Sequence, residues 1–111
     1  MNSEKMFNRP WFKYWPKDVP KQINYPDVPL FQLLTDSAEQ YPDKTALAYQ
    51  NKRISYRELD QISNKFANHL KDLGIKPSHK VMLFLPNIPE YVISFYGILK
   101  TGAIITAASP L

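Results

Sequence analysis

The chain has 111 residues, 44% of them hydrophobic and 14% aromatic, with a net charge of +4 and no cysteine. That composition excludes disorder as a description of the whole chain, and it excludes disulfides and thiolate metal sites. The basic residues are dispersed and mixed with acids, which describes a solvated surface better than a nucleic-acid patch. The longest apolar runs, Val81–Leu85 and Ala103–Ala108, fall far short of the roughly 20 residues of a membrane helix. MNSEKMFNRP carries no apolar signal core, so a cytoplasmic location is expected.

Residues 1–29 form a first region. Pro10, Pro16, Pro20, Pro26 and Pro29 alternate there with Trp11, Phe12, Tyr14, Trp15 and Tyr25. Such proline density blocks a regular helix or an interior strand, while the rings call for burial. An extended arm laid across a folded surface meets both demands. A nucleic-acid arm that stacks bases on Trp11 and Trp15 beside Arg9, Lys13 and Lys17 ranks behind it. Membrane-surface contact through the same residues is weak as well, because no helical face forms across those prolines.

Residues 30–111 read as regular α/β structure. Leu30, Leu33, Leu34, Ala38 and Tyr41 keep helical spacing between Pro29 and Pro42. Thr45–Gln50 and Lys52–Ser55 read as two short strands about a turn at Asn51. Ser55 and Glu58 form a capping box. Behind it, Leu59, Ile62, Phe66, Leu70 and Leu73 make the apolar stripe of a second helix, with Asp60, Asn64, Lys65 and Asn68 on its wet face. Gly74 supplies the left-handed end of that helix. Val81–Pro86 is a continuous apolar strand, and Asn87 is expected to cap a third helix that ends at Gly102. The last strand, AIITAA, is small and apolar enough to be buried on both faces. Strand, helix and strand at this spacing imply a parallel pair, and a parallel strand needs cover on its second face.

Candidate chemistry is sparse. Gly74, Gly97 and Gly102 are isolated, so no glycine-rich phosphate loop exists. His69 and His79 have no second ligand at metal spacing and read as surface residues. Ser55 and Ser109 lack a base at a recognisable spacing. Glu58 is used in capping. No catalytic, cofactor-binding or metal-binding residue is assigned.

Five segments in register nevertheless resemble the adenylate-forming enzymes, most closely the long-chain fatty acid–CoA ligases. These are RPWFKYWPKDVPKQI, LFQLLTDSAEQYPDKTALAYQ, ISYREL, FLPNIPEY and LKTGAIITAASPL. The resemblance implies the N-terminal piece of a large α/β domain: three helices, a small partly parallel sheet and an extended arm. It implies ATP-dependent activation of a fatty acid to an acyl-adenylate, then transfer to coenzyme A, with magnesium. The motifs that bind ATP, magnesium and coenzyme A in that family are expected beyond Leu111, so the chain alone is expected to be inactive. The remainder of the ligase, or a related subunit, is then the expected partner. A non-catalytic module that docks on a related ligase is the alternative. The chain departs from the family at Ser78-His79, where glycine-aspartate is usual, and at Ser109, where asparagine is usual.

Overall fold

The computed structural model describes residues 9–111; residues 1–8 of the expected arm lie outside the described residues. A five-residue 3-10 helix, Pro10–Tyr14, precedes α1 (Gln32–Gln40), β1 (Thr45–Tyr49), β2 (Lys52–Ser55), α2 (Tyr56–Asp72), β3 (Lys80–Phe84), α3 (Pro89–Lys100) and β4 (Ile104–Ala108). The α/β class and the three helices are as the sequence implies. The strands form two separate two-stranded sheets: β1 with β2 antiparallel, and β3 with β4 parallel. Gln50 turns the hairpin in the left-handed region at φ 52°, one residue before Asn51.

The core gathers where α2 and α3 cover one face of the β3–β4 pair. Leu70, Leu83, Ile98 and Ala103 are buried there, with Phe66, Ile75, Val81, Leu85, Phe95 and Ile105 packed around them. Gly97 makes the close approach of α2 and α3 feasible. A Cβ at that position would sit 2.5 Å from Phe66 Cδ1 and 3.2 Å from the Ser63 carbonyl oxygen. A larger side chain would therefore drive the helices apart.

Both ends of α2 follow the sequence reading. The Ser55 hydroxyl accepts the Glu58 N–H at 3.2 Å, and Glu58 Oε2 accepts the Ser55 N–H at 2.8 Å. Those bonds satisfy two of the free amides of the first turn, and hydrogen bonding from the Ser55 backbone N–H, with a smaller part from its hydroxyl, holds the Glu58 carboxyl below its usual pKa. Beyond the last turn, Gly74 takes φ +95°.

Several expectations are corrected. The buried stripe of α2 is Leu59, Ser63, Ala67 and Leu70, whereas Ile62 and Leu73 are exposed. The small Ser63 and Ala67 let α3 lie close, which rotates the contact face away from the larger residues. Asp60 and Asn64 do not simply face water, because both bind Lys100 of α3. In α1 only Leu34 is buried, and Leu30, Leu33 and Tyr41 remain exposed. That helix begins at Gln32, after a tight turn in which the Gln32 N–H reaches the Pro29 carbonyl at 2.9 Å. The N-cap of α3 is Ile88 with Pro89 just inside the helix, and Asn87 makes no cap.

The last strand is also corrected. Ile104 is about half exposed, and β4 is not buried on both faces. Its register with β3 places Lys80, Met82 and Phe84 beside Ile104, Thr106 and Ala108 on one surface. No described element covers that surface, and Met82 and Phe84 are 62% and 60% exposed. Three of the arm's rings likewise stay outside, against the expectation of burial: Trp11 is 54%, Tyr14 79% and Tyr25 81% exposed, while Phe12 and Trp15 are half-buried. The chain presents 8898 Å² of accessible surface, against about 6,300 Å² for a compact monomer of its mass.

Candidate functional site

In open α/β sheets, ligands sit beyond the carboxyl ends of the strands. Here those ends are Phe84 of β3 and Ala108 of β4, and two shallow clefts open beside them, the first of mixed polarity and the second mostly apolar. One, of about 260 Å³, is lined by Leu85, Asn87, Tyr91, Ala107, Ser109 and Leu111 among others. Its neighbour, of about 200 Å³, lies between the β1–β2 hairpin and the start of α3, against Leu47, Tyr49, Asn87, Ile88, Tyr91 and Val92. Asn87 and Tyr91 line both.

Local sequence explains this placement. Pro86 ends β3, since a proline there cannot donate to a ladder. The Ile88 N–H bonds the Pro86 carbonyl at 2.9 Å, and Pro89 starts α3 with its fixed φ. Asn87, left out of the cap, stands at the mouth of the clefts. Tyr91 follows one turn into α3 and stacks on Phe95, with centroids 6.5 Å apart and an interplanar angle of 19°. Ser109 accepts the Leu111 N–H at 3.2 Å and so shapes the far wall.

These clefts offer contact area, the Asn87 amide and the hydroxyls of Tyr49, Tyr91 and Ser109. They can hold and orient an apolar or planar group, and they include no charged side chain that could move a proton. Among the described residues, no three His, Asp or Glu side chains gather where they could hold a metal ion. The residues present do not compose a phosphate or magnesium site, and no step of adenylate formation can be assigned to them.

The residues weighed from sequence lie elsewhere. His69 is exposed on the last turn of α2. His79 Nδ1 accepts the Lys76 N–H at 3.0 Å in the loop before β3. Ser78 takes φ 67° in that loop, a left-handed conformation natural to glycine, so the departure from the family's glycine-aspartate is a point of strain. Gly102, at φ +81°, ends α3. Its carbonyl accepts the Ser78 N–H at 3.1 Å, tying the loop to the end of the helix.

Sequence reasoning missed the most elaborate polar cluster. Lys100 Nζ donates to Asp60 Oδ1 at 2.7 Å, Ser63 Oγ at 2.8 Å, Asn64 Oδ1 at 2.8 Å and the Asp60 carbonyl at 3.2 Å. The Lys100 side chain is 9% exposed. Three donors shared among four acceptors leave the ammonium saturated, so the cluster is a clamp between α2 and α3 and not a reactive amine. The available signal was the (i, i+3, i+4) spacing of Asp60, Ser63 and Asn64, which sets them on one helix face.

The fold and clefts define a class: a strand–helix–strand unit of an α/β protein, opening at the carboxyl ends of its strands. The chain belongs to the AMP-binding enzyme family, whose model matches residues 34–111. It is 36% identical over 103 residues to the long-chain-fatty-acid–CoA ligase of Bacillus subtilis (strain 168), covering 93% of this chain and 18% of that protein. It is 34% identical to the phosphinothricin tripeptide synthetase PhsC of Streptomyces viridochromogenes, covering 81% of this chain and 9% of that one. The apo structure of Mycobacterium smegmatis MbtA superposes with a TM-score of 0.74 at 31% identity, over 78% of this chain and 16% of MbtA. The chain thus spans about a fifth or less of the relatives it matches.

Proposed function

We propose that the chain forms the N-terminal part of a fatty acid–CoA ligase, which joins a long-chain fatty acid to coenzyme A through an acyl-adenylate at the expense of ATP. The observation that carries this reading is the 93% coverage by a fatty acid ligase, which must include most of residues 1–29, whereas the family model begins at residue 34. The peptide synthetase matches a smaller share of the chain. The arm is therefore what favours the fatty-acid branch over other AMP-binding enzymes.

In this role the chain supplies walls and scaffold. α2 and α3 support one face of the β3–β4 pair, and Asn87, Tyr91 and Ser109 provide one side of a ligand cleft. ATP, magnesium and coenzyme A are handled by residues outside this chain, and the chain alone is inactive. The test is acyl-CoA formation from palmitate with ATP, magnesium and coenzyme A, by the purified chain and by the chain mixed with a related ligase lacking its matched N-terminal segment. Activity in the mixture alone supports the proposal. A folded mixture that stays silent contradicts it, and activity of the chain alone contradicts the assigned division of labour.

One observation favours a second reading. The bare apolar surface of Met82, Phe84 and Ile104, beside two sheet edges unpaired among the described residues, also suits a non-catalytic module that docks on a related ligase. That reading predicts tight binding to an intact ligase, which the first does not.

A further inference from the structure

The arm holds a concentration of cations beside the exposed Trp11 and Tyr14 and the half-buried Phe12 and Trp15 that the proposed function leaves unused. Between residues 9 and 21 the sequence sets Arg9, Lys13, Lys17 and Lys21 against one acid, Asp18. Arg9 lies 5.6 Å from the Trp11 ring centroid, Lys13 4.9 Å from that of Tyr14, and Lys21 5.3 Å from that of Phe12. Phe12 and Trp15 meet edge to face at 5.4 Å, and Trp15 Nε1 donates to the Val19 carbonyl at 2.9 Å. These contacts are local, and they give the segment a defined shape although the 3-10 helix buries no residue.

An amphipathic ring left in water beside an ammonium or guanidinium group matches the chemistry of a bilayer interface. Trp and Tyr settle at headgroup level, and basic side chains engage anionic lipid phosphates. From sequence alone the lack of a helical face argued against membrane contact. The 3-10 turn provides an ordered aromatic-basic patch without one. Single-stranded nucleic acid fits less well, because stacking needs a run of open ring faces, and here Phe12 and Trp15 are half-buried against each other while a cation lies over one face of Trp11 and of Tyr14.

We propose that residues 9–21 dock on an anionic bilayer surface, with Trp11 and Tyr14 at headgroup level and Arg9, Lys13, Lys17 and Lys21 on lipid phosphates. The proposal needs only the arm and stands whether or not the chain serves a ligase.

Trp11 and Trp15 are the chain's only tryptophans, so selectively excited tryptophan emission reports on the arm alone. The experiment is co-sedimentation and tryptophan emission of the full chain with vesicles of phosphatidylcholine plus phosphatidylglycerol, and with phosphatidylcholine alone. Binding and a blue shift are expected with the anionic vesicles only, weakening as salt rises. The combined variant K13E/K17E/K21E should partition at least on the order of 100-fold more weakly, from three lost contacts, and Trp11→Ala should reduce both binding and the shift. Circular dichroism should show both variants folded, since the altered residues are not buried. Undiminished binding by the charge-reversed variant overturns the proposal. So does binding that survives in it but disappears in M82S/F84S, which would make the bare sheet the contact. A blue shift that follows protein concentration without lipid, or tighter binding to a single-stranded oligonucleotide than to vesicles, overturns it as well.

Discussion

The two faces of the β3–β4 pair differ sharply. On one, α2 and α3 meet through Gly97, the Lys100 ammonium has four oxygen partners, and no buried side-chain nitrogen or oxygen among the described residues lacks a partner. On the other, Met82, Phe84 and Ile104 stand in water. Parallel strands are ordinarily covered on both faces, and a two-stranded sheet is marginal on its own. Order in this chain is therefore concentrated in one helix pair, and the sheet depends on that pair for support. The bare face is a place where further structure can be gained.

The contrast can be broken from its finished side first. Gly97→Val adds bulk 2.5 Å from Phe66 Cδ1 and should destabilise the chain by about 3 kcal/mol, read from urea unfolding followed by circular dichroism. A cost near zero would show that the helices are not in close contact. Lys100→Met leaves Asp60 and Ser63 without their partner at the interface. Because Asp60 keeps some solvent access, the expected loss is about 2 kcal/mol, below that of a fully buried pair.

Removing the α2 cap should cost less. Ser55→Ala is expected to lower stability by about 1 kcal/mol. Glu58 adds a pH signature. Its pKa is depressed by the Ser55 backbone and hydroxyl hydrogen bonds, so its contribution is present above the ordinary carboxylate range and is lost as pH falls through the folded value. In Glu58→Gln that acid-side loss should disappear, and an unchanged acid limb in the pH titration would contradict the capping geometry.

The bare side should respond least. Phe84→Ser replaces an exposed ring and should shift the stability of the isolated chain by no more than about 0.5 kcal/mol. The same substitution should weaken association with the rest of a ligase. A large loss in the isolated chain would instead mean that Phe84 is already packed.

Legibility followed the locality of the interactions. The capping box, the Gly74 and Gly102 turns and the parallel pairing of β3 with β4 were readable, because each is set by short-range geometry or by element order. The resemblance carried by ISYREL and FLPNIPEY indicated the family even though no catalytic motif did. The true contact face of α2 was hidden, because Ser63 and Ala67 are buried by their small size and not by their hydrophobicity. Asp60 and Asn64 looked solvated until Lys100, some forty residues later, was placed against them. Exposure of Trp11, Tyr14 and one face of β4 was illegible too, since hydrophobicity states a preference for burial without naming what covers it. Asn87 and Tyr91 were visible only as a cap and a stripe residue, and the clefts beside them need two strands and a hairpin to exist.

Amide hydrogen exchange of the β3–β4 pair, with and without a related ligase lacking its matched N-terminal segment, tests the central claim most directly. In the isolated chain, amides of α2 and α3 should be the best protected and those of β4 among the least. Adding the ligase remainder should slow exchange along Ile104–Ala108 and leave the α2–α3 interface little changed. Strong protection of β4 in the isolated chain, or no gain when the remainder binds, would contradict the account.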